Sequence, residues 1–456
     1  MTQSPKITII GAGGFVFPFR LIGDILSFPA LRSARLCLMD VRPEKLGPVA
    51  DAARKLVAHH GFDAEVEETT DRRAALDGAD FVIITFQVGG VEAYKDDVLI
   101  PRRYGIDQTV GDTIGPGGVF RFLRSVPAYE VIAADALEVC PDAVFINYAN
   151  PMAMATAFLN AKGLKTVGLC HSVQGTTRML ARTLGVPYEE VNYLSAGINH
   201  QAWILKFRHG TEDLYPRLRE VMNARHVVGR AAAELAGDDG DHSEAAQAAS
   251  TYEGGNEQVR TTLMNAFGYF ETESSHHASE YLPYFRKNPE MVEHYIPERW
   301  DYYEICVNHD DQGDIDTQLD KLKAELKPSV EYGASIVNSV VTGVPSVVYG
   351  NVPNVGVISN LPPDACVEVP CLVDENGVQP TAIGELPLQL AALNRTNVNV
   401  QTLAVQAALT GNRENVHHAV ALDPLTAALL TLEQARAMTD ELLTAHAERL
   451  PENLRA

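Results

Sequence analysis

The sequence lacks long apolar runs and clusters of basic residues, and both absences exclude classes of partner. No segment of its 456 residues approaches the roughly 20 consecutive apolar residues that a membrane-spanning helix requires. The formal net charge is −22, and no run of lysines and arginines offers a surface for phosphates. We therefore expect neither a membrane nor a nucleic acid as partner.

Cysteine is also scarce and irregularly placed. The chain has six cysteines: Cys37, Cys140, Cys170, Cys306, Cys366 and Cys371. Their spacing matches no disulfide framework, which favours a reducing compartment. The first ten residues lead directly into a short apolar strand and lack the basic start and cleavage site of a signal peptide. We expect a cytoplasmic protein whose thiols are mostly buried and unpaired.

What is present is the composition of a globular enzyme, with 46% hydrophobic and 21% charged residues. The length favours two domains. Because strand–helix alternation gives way to longer helical segments near residue 195, we predict domains at 1–195 and 196–456. Segment 231–255, rich in Ala, Gly and acidic residues, is predicted to be weakly packed. Residues 400–450 predict helices packed on a core or on a partner subunit.

The first unit of the chain is predicted to be a strand, a tight turn and a helix. A β-branched run at Lys6–Ile10 meets the glycines Gly11, Gly13 and Gly14, and a helical pattern follows at Phe19–Phe28. Glycines let the backbone approach a pyrophosphate, which is then bound by the free N–H groups at the start of the helix. The motif predicts a dinucleotide site, and a plain turn is the alternative.

A second apolar run, Arg35–Met39, ends in Asp40 about thirty residues after the first strand. A carboxylate there can accept hydrogen bonds from ribose hydroxyls and would repel a 2′-phosphate, so NAD is favoured over NADP. The glycine fingerprint is irregular, because its third position is Val16. Further apolar runs at 81–86, 143–148 and 166–169 continue the alternation, which predicts an α/β fold with a Rossmann-like domain and a mostly parallel sheet.

Cys170 ends one of these strands, and His200 follows some thirty residues later. A thiolate and an imidazole are both good ligands for a divalent transition metal. From residue types alone, a packed thiol and a satisfied histidine remain the alternative. Asp112 and Asn150 are side chains of the kind that hold sugar hydroxyls, although either could be a turn or cap residue.

Thr272–Tyr284 is dense in polar and aromatic residues, with Glu273, His276, His277, Glu280 and Tyr281 among them. This density predicts a wall of an active site. An exposed loop with a solvated charged face is the alternative.

Several separated motifs together resemble the family-4 glycoside hydrolases, in order and spacing. They are Gly11–Gly14, Asp112–Gly118, Asn147–Pro151, Cys170–Thr176 and Gly197–His200, with Glu331–Tyr332 and Tyr349–Asn351 further along. The resemblance covers essentially the whole chain. This family is an exception among glycosidases, because it does not use a pair of carboxylates flanking the scissile bond.

The resemblance implies a mechanism that needs both NAD and a divalent metal, usually Mn²⁺. NAD⁺ takes a hydride from sugar carbon 3, and a base then removes the acidified proton on carbon 2. The metal stabilises the enediolate while the aglycone leaves from carbon 1 by elimination. Water adds back, and NADH returns the hydride. The fold implied is similar to that of lactate and malate dehydrogenases, with a mixed α+β second domain and C-terminal helices.

The resemblance also implies roles for individual residues. It makes Cys170 and His200 the metal ligands, and Tyr281 the carbon 2 base with Glu280 as competitor. Asn150, His171 and Asn199 are implied to bind substrate, Asp112 to act beside the sugar, and Gln87 to contact the cofactor together with Gly11, Gly13, Gly14 and Asp40. The general acid stays unassigned.

The triplet Cys170–Ser172 is similar to that of the α-galactosidase branch. We therefore expect hydrolysis of small α-galactosides of the melibiose type, by a homodimer or homotetramer. An α-glucosidase or α-glucuronidase of the same family is the nearer alternative. An NAD-dependent 2-hydroxyacid dehydrogenase is the alternative of another class, and it would need no metal thiolate.

Overall fold

A computed structural model describes residues 4–14, 16–228, 257–297, 299–308 and 311–455. Its strands are β1 (Lys6–Ile10), β2 (Arg35–Met39), β3 (Glu65–Thr69), β4 (Phe81–Ile84), β5 (Val144–Asn147), β6 (Lys165–Leu169), β7 (Val191–Ile198), β8 (Gln201–His209), β9 (Glu212–Asp213), β10 (Phe270–Glu271), β11 (Ser346–Pro353), β12 (Cys366–Asp374) and β13 (Gly377–Pro380). The segment 231–255, predicted to be weakly packed, lies outside the described residues.

The helices alternate with strands in the first half of the chain and dominate its C-terminal end. They are α1 (Val16–Ser27), α2 (Pro43–His60), α3 (Arg72–Leu76), α4 (Gly90–Arg103), α5 (Gly115–Val139), α6 (Met152–Ala161), α7 (Ser172–Leu184), α8 (Tyr215–Val228), α9 (Gln258–Phe267), α10 (Ser275–Glu280), α11 (Pro289–Tyr295), α12 (Tyr302–Asn308), α13 (Asp311–Ala324), α14 (Gly333–Thr342), α15 (Leu388–Thr410), α16 (Glu414–Ala421), α17 (Pro424–Leu429) and α18 (Leu432–Ala445). The first helix starts earlier than the predicted Phe19, directly after the glycine turn.

One sheet joins the strands in the order β10-β8-β7-β12-β11-β6-β5-β4-β1-β2-β3. The six strands from β6 to β3 are parallel and follow the order of a doubly wound dinucleotide fold. From β6 outward the pairing is antiparallel through β11, β12, β7 and β8. The predicted α/β fold with a Rossmann-like first half is confirmed, and its sheet continues past residue 195.

Buried apolar side chains cover both faces of the parallel strands. Along β4, Phe81 and Ile83 belong to one core cluster while Val82 and Ile84 belong to the other. A strand buried on both faces reads as a continuous apolar run, which explains why these strands were recognisable in the sequence. The C-terminal helices α15 to α18 pack on α4, α5 and α6 of the same chain.

Parallel strands bring their carboxyl ends to one edge of the sheet, and ligands of such folds bind in the crevice there. Gly11 follows β1, Asp40 follows β2, and Cys170 follows β6 at this edge. The three residues are therefore gathered along one crevice by topology. Among the described helices, none is long and apolar enough to cross a bilayer.

Gly11 is the glycine on which the first turn depends. Its φ is +92°, and a Cβ placed on it would lie 2.7 Å from the backbone nitrogen of Phe86. Gly14, three residues later, has room, since a Cβ there would meet its nearest atom, the carbonyl oxygen of Gly11, at 3.4 Å.

We predict that Gly11→Ala lowers the free energy of unfolding by about 1–3 kcal/mol, because it adds backbone strain and a clash in the core. Gly14→Ala, the matched control, should change it by less than about 0.5 kcal/mol. Urea unfolding followed by circular dichroism measures both. Equal losses in the two variants would contradict this account of the turn.

Candidate active site

Three potential metal ligands converge at the carboxyl edge of the sheet. The Sγ of Cys170 lies 3.3 Å from Nε2 of His200 and 4.0 Å from Oε2 of Glu273. His200 Nε2 lies 3.4 Å from the same Glu273 oxygen. All three side chains are buried. Such an N, O and S donor set is suited to a divalent transition metal.

Two of these donors have unusual backbone conformations. His200 (φ +63°) and Glu273 (φ +74°) are the non-glycine residues with positive φ in the described part of the chain. His200 occupies the two-residue turn between β7 and β8, and Glu273 follows β10, which pairs with β8. Positive φ in a non-glycine residue costs of order 1–3 kcal/mol and is concentrated at functional sites. The strain coincides with the donor cluster.

The electrostatics of the cluster favour a bound cation. Burial lowers the pKa of His200 to about 3, so its imidazole is neutral and able to ligate. Burial raises the pKa of the Cys170 thiol well above its usual value, and the charges of Glu273 and Glu368 raise it further. A cation among the donors would offset that repulsion and stabilise the thiolate.

The glycine turn after β1 is closed by Asp40. The Asp40 carboxylate accepts a hydrogen bond from the Gly13 amide at 3.0 Å and another from the Arg42 amide at 3.0 Å. A Cβ on Gly13 would lie 2.8 Å from Asp40 Oδ2, so this position leaves no space for a side chain. Gln87 is exposed in the turn after β4, on the same edge of the sheet.

Asp112 and Asn150 are linked through an arginine that sequence reasoning missed. Nη1 of Arg121 lies 3.7 Å from Asp112 Oδ2, and its Nε donates to the Asn150 carbonyl at 3.3 Å. Asp112 Oδ1 is buried and has no hydrogen-bond partner among the described residues. Arg121 lies on the apolar first turns of α5, where nothing in the local pattern marks it.

The loop before Asp112 is anchored by Glu280, at the end of α10. The Glu280 carboxylate accepts five hydrogen bonds. They come from the amides of Thr109 (2.6 Å), Val110 (2.8 Å) and Gly111 (3.0 Å), from the Thr109 hydroxyl (3.0 Å) and from Gln108 Nε2 (3.2 Å). Successive amides of this kind form a concave site for an anion. Both oxygens of the Glu280 carboxylate are therefore bound by the loop.

Tyr281, the next residue, is fully buried, and its hydroxyl donates to the Thr113 hydroxyl at 3.1 Å. Its ring centroid lies 6.3 Å from that of His200. Burial raises the pKa of Tyr281 well above its usual value, and the nearby carboxylates of Asp112 and Glu273 add to that. Ionisation of the phenol therefore requires a cation nearby.

His171 and Asn199 flank the donor cluster in sequence. His171 Nδ1 lies 3.4 Å from Glu331 Oε1. Burial lowers the pKa of His171, but the hydrogen bond and charge of Glu331 outweigh it, so the pKa is raised. Asn199 is buried in the β7–β8 turn beside His200. In the sequence, Glu331 is marked only by its place in the motif Glu331–Tyr332.

The polar stretch Thr272–Tyr284 divides between the site and the surface. Glu273 joins the cluster, and the ring of His277 lies 4.7 Å from that of His200. His276 stacks on Trp300 at 4.4 Å, and Tyr284 is 43% exposed beside Phe267. Density of polar residues was a usable signal for Glu273, but it could not separate inward from outward side chains.

The fold and the cluster together define a doubly wound dinucleotide fold with a thiolate, imidazole and carboxylate donor set beside its crevice. Residues 6–186 match the profile of the family 4 glycosyl hydrolases, and residues 195–426 match the C-terminal domain of the same family. The chain belongs to the family 4 glycosyl hydrolases. This membership sets aside the 2-hydroxyacid dehydrogenase alternative.

Similar proteins include α-galactosidases from two bacteria. The chain is 38% identical to that of Bacillus subtilis, over 98% of this chain and 99% of the relative, and 37% identical to that of Rhizobium meliloti, over 98% and 89%. An α-glucosidase of Erwinia rhapontici (29%, over 92% and 94%) and an α-galacturonidase of B. subtilis (30%, over 92% and 93%) are also similar.

Solved structures share the fold. A 6-phospho-α-glucosidase from gut microorganisms, in complex with NAD and Mn²⁺, superimposes with a TM-score of 0.78 at 20% identity, over 98% of this chain and 99% of that one. A malate dehydrogenase of Cryptosporidium parvum superimposes with a TM-score of 0.51 at 16% identity, over 89% and 99%. These agree with the predicted dehydrogenase-like architecture.

We predict that Cys170→Ser, His200→Ala and Glu273→Gln each lower bound Mn²⁺ severely, because each removes one donor. The fold should persist, because each variant changes only one side chain of the cluster. Metal analysis beside circular dichroism makes the test. Cys371→Ser, which removes a buried thiol on β12, is the matched control and should retain metal. If the metal content is unchanged in all three site variants, the three side chains are packed core residues and not metal ligands.

Proposed function

We propose that this chain is an NAD⁺- and Mn²⁺-dependent α-galactosidase that removes the aglycone by elimination. The proposed dependence on a metal rests on one observation, the convergence of Cys170, His200 and Glu273 beside the dinucleotide crevice. The 37–38% identity to α-galactosidases, against 29–30% to relatives acting on other glycosides, supports the substrate.

The residues present fit both groups. The turn at Gly11–Gly14 lies between β1 and the start of α1 and is exposed at Gly14, so that the first amides of the helix can meet a pyrophosphate. Asp40 stands at the end of β2, where a ribose would be recognised. Cys170, His200 and Glu273 would hold the cation. When bound, the nicotinamide supplies reversible hydride transfer and the cation supplies Lewis-acid stabilisation of a developing oxyanion.

The protein's own part begins with holding the sugar. Asp112 Oδ1, which is buried and has no hydrogen-bond partner in the described ranges, is available to accept a hydrogen bond from a hydroxyl. Arg121 lies between the Asp112 carboxylate and the backbone carbonyl of Asn150, which places the two residues near each other. We assign these residues, with His171 and Asn199, to orientation of the glycone.

Proton removal from carbon 2 is assigned to Tyr281. Its hydroxyl is held by Thr113 and its ring lies beside His200, within the field of a cation held there. Glu280, the competitor, has its carboxylate filled by five donors from the loop before Asp112 and is not directed at a substrate. We therefore assign Glu280 to positioning that loop.

Acidic side chains around the cluster favour a neutral glycone over a uronic acid. Glu331 lies against His171, and the charge of Glu273 acts on Cys170. A substrate carboxylate would add another negative charge to this surrounding. The α-glucuronidase alternative, and the activity of the similar α-galacturonidases, are disfavoured on these grounds.

We also propose that the two parts of the chain have different roles. Residues 1–195 would bind NAD and supply Cys170, while residues 196–456 would supply His200, Glu273 and Tyr281 and carry oligomer contacts. In the described part of the chain, Cys37, Cys140, Cys170, Cys366 and Cys371 form no disulfide. Because the proposed ligand is a thiolate that oxidation would destroy, a cytoplasmic location is part of the proposal. A homodimer or homotetramer is the expected assembly.

Nitrophenyl glycosides under reducing conditions test the substrate. With NAD⁺ and Mn²⁺ present, the α-galactoside should exceed the α-glucoside, the α-galacturonide and the β-galactoside by about tenfold or more in kcat/KM, the range that one misplaced polar group typically costs. Enzyme stripped of either cofactor should be inactive and recover on its return. A preference for the galacturonide would overturn the neutral-sugar assignment, and full turnover without NAD⁺ would overturn the mechanism.

Tyr281→Phe should reduce kcat by about a hundredfold or more while NAD⁺ and Mn²⁺ still bind, because it removes a base that is not a ligand. Glu280→Gln should reduce kcat less, through loss of loop anchoring. Galactose formed in deuterated water by the wild type should carry deuterium at carbon 2, as detected by NMR. Near-normal kcat in Tyr281→Phe with a dead Glu280→Gln would move the base to Glu280.

A further inference from the structure

Three buried polar side chains meet among helices α4, α5 and α18, which carry none of the proposed metal ligands. Asp97 lies on α4, Arg124 on α5, and His446 directly after α18. Arg124 Nη1 donates to Asp97 Oδ1 at 2.7 Å and lies 2.6 Å from Oδ2, and His446 Nε2 lies 3.0 Å from Asp97 Oδ1. All three side chains are 0% exposed.

Such a group is costly to bury. Taking charged side chains out of water offsets most of their attraction, and apolar residues of similar volume often stabilise a core as well or better. Stability alone therefore does not account for a buried Asp–Arg pair with a histidine beside it. The remaining contact of the group indicates what it does.

That contact is to the backbone of the turn after β4. Arg124 Nε donates to the Val88 carbonyl at 2.8 Å, while Nη1 of the same guanidinium is held by Asp97. His446 is fixed in turn by stacking on Phe120, with ring centroids 5.6 Å apart. The arginine therefore connects the C-terminal segment to the backbone of residue 88 through buried side chains.

A second contact ties the same turn to the C-terminal segment. Gly89 has φ +89°, and a Cβ on it would lie 2.4 Å from the Cβ of Ala93 and 3.3 Å from Arg449. On its other side the turn meets the dinucleotide loop, because a Cβ on Gly11 would lie 2.7 Å from the Phe86 amide nitrogen. Residues 86–89 thus form the wall between the crevice and the C-terminal segment.

We propose that Asp97, Arg124 and His446 form a positioning unit that holds the 86–89 wall in the geometry the dinucleotide requires. The C-terminal segment 446–449 thereby sets affinity for NAD. This inference rests on the proposed function in one respect, namely that NAD occupies this crevice. The three residues touch the wall or one another, and act on the cofactor only through residues 86–89.

The geometry needs an arginine. A guanidinium presents several donors in a fixed fork, so it can hold Val88 and both Asp97 oxygens at once, whereas a lysine ammonium is a point charge on a flexible stem. Arg124→Lys keeps the positive charge beside Asp97 but loses that simultaneous contact. His446→Phe keeps a ring to stack on Phe120 and loses the contact with Asp97.

The test measures NAD⁺ affinity, Mn²⁺ affinity and amide hydrogen exchange on folded protein. Arg124→Lys should weaken NAD⁺ binding about tenfold, with Mn²⁺ affinity changed less than about twofold, and His446→Phe should act in the same direction but less. Amides at 87–90 should exchange faster in both variants without nucleotide. The matched control is Glu441→Gln, which breaks the exposed Arg103–Glu441 pair between the same helices α4 and α18.

A general loss of packing would lower thermal stability and weaken both ligands together, and that outcome overturns the proposal. So does a folded Arg124→Lys with wild-type NAD⁺ affinity and unchanged exchange at 87–90. If Arg124→Lys fails to fold, His446→Phe decides by the same measurements. Wild-type protein that binds no NAD⁺ would overturn the proposed function and this inference with it, whereas binding by wild type and variants alike overturns the inference alone.

Discussion

The pairing of β6 with β11 is the contact on which the site depends. Only two residue pairs join these strands, Gly350 with Leu169 and Asn351 with Gly168. A Cβ on Gly168 would lie 2.4 Å from the hydroxyl of Thr156, so the approach is closed to larger residues. Through this pairing the parallel half of the sheet, ending at Cys170, is continued into the antiparallel half that carries the remaining donors.

Once the two halves share a sheet, the site becomes an enclosed group of buried carboxyl groups and neutral donors. Glu368 pairs in register with Gly197 on the neighbouring strand and, with burial as the main cause, has its pKa raised to about 8. The strained backbones of His200 and Glu273 lie in the same place. Burial and the nearby carboxylates disfavour the Cys170 thiolate in the protein alone, and a bound cation would offset both effects.

A second set of long-range contacts joins the loop before Asp112 to the second half of the chain. The five hydrogen bonds of Glu280 hold the loop before Asp112, while Thr113 holds the Tyr281 hydroxyl. Glu280 and Tyr281 are adjacent at one helix end, so the same element anchors the loop and places the Tyr281 hydroxyl. Preorganisation of this kind is what catalysis by positioned charges requires. Any functional division at residue 195 therefore runs through one sheet and one site.

By itself the sequence determined the strand, glycine turn and helix, the acidic end of β2, and Cys170 with His200 as candidate ligands, because those signals are local or lie in family motifs. The tertiary structure decided the rest. Glu273 meets Cys170 across 103 residues and Glu280 meets Thr109 across 171, separations that leave no periodicity in the chain. Arg121 is hidden within an apolar helix, and whether Glu280 faced a substrate or a ring of amides depended on which loop folded against it. Residue type predicts the chemistry a side chain can perform, while only packing selects its partner.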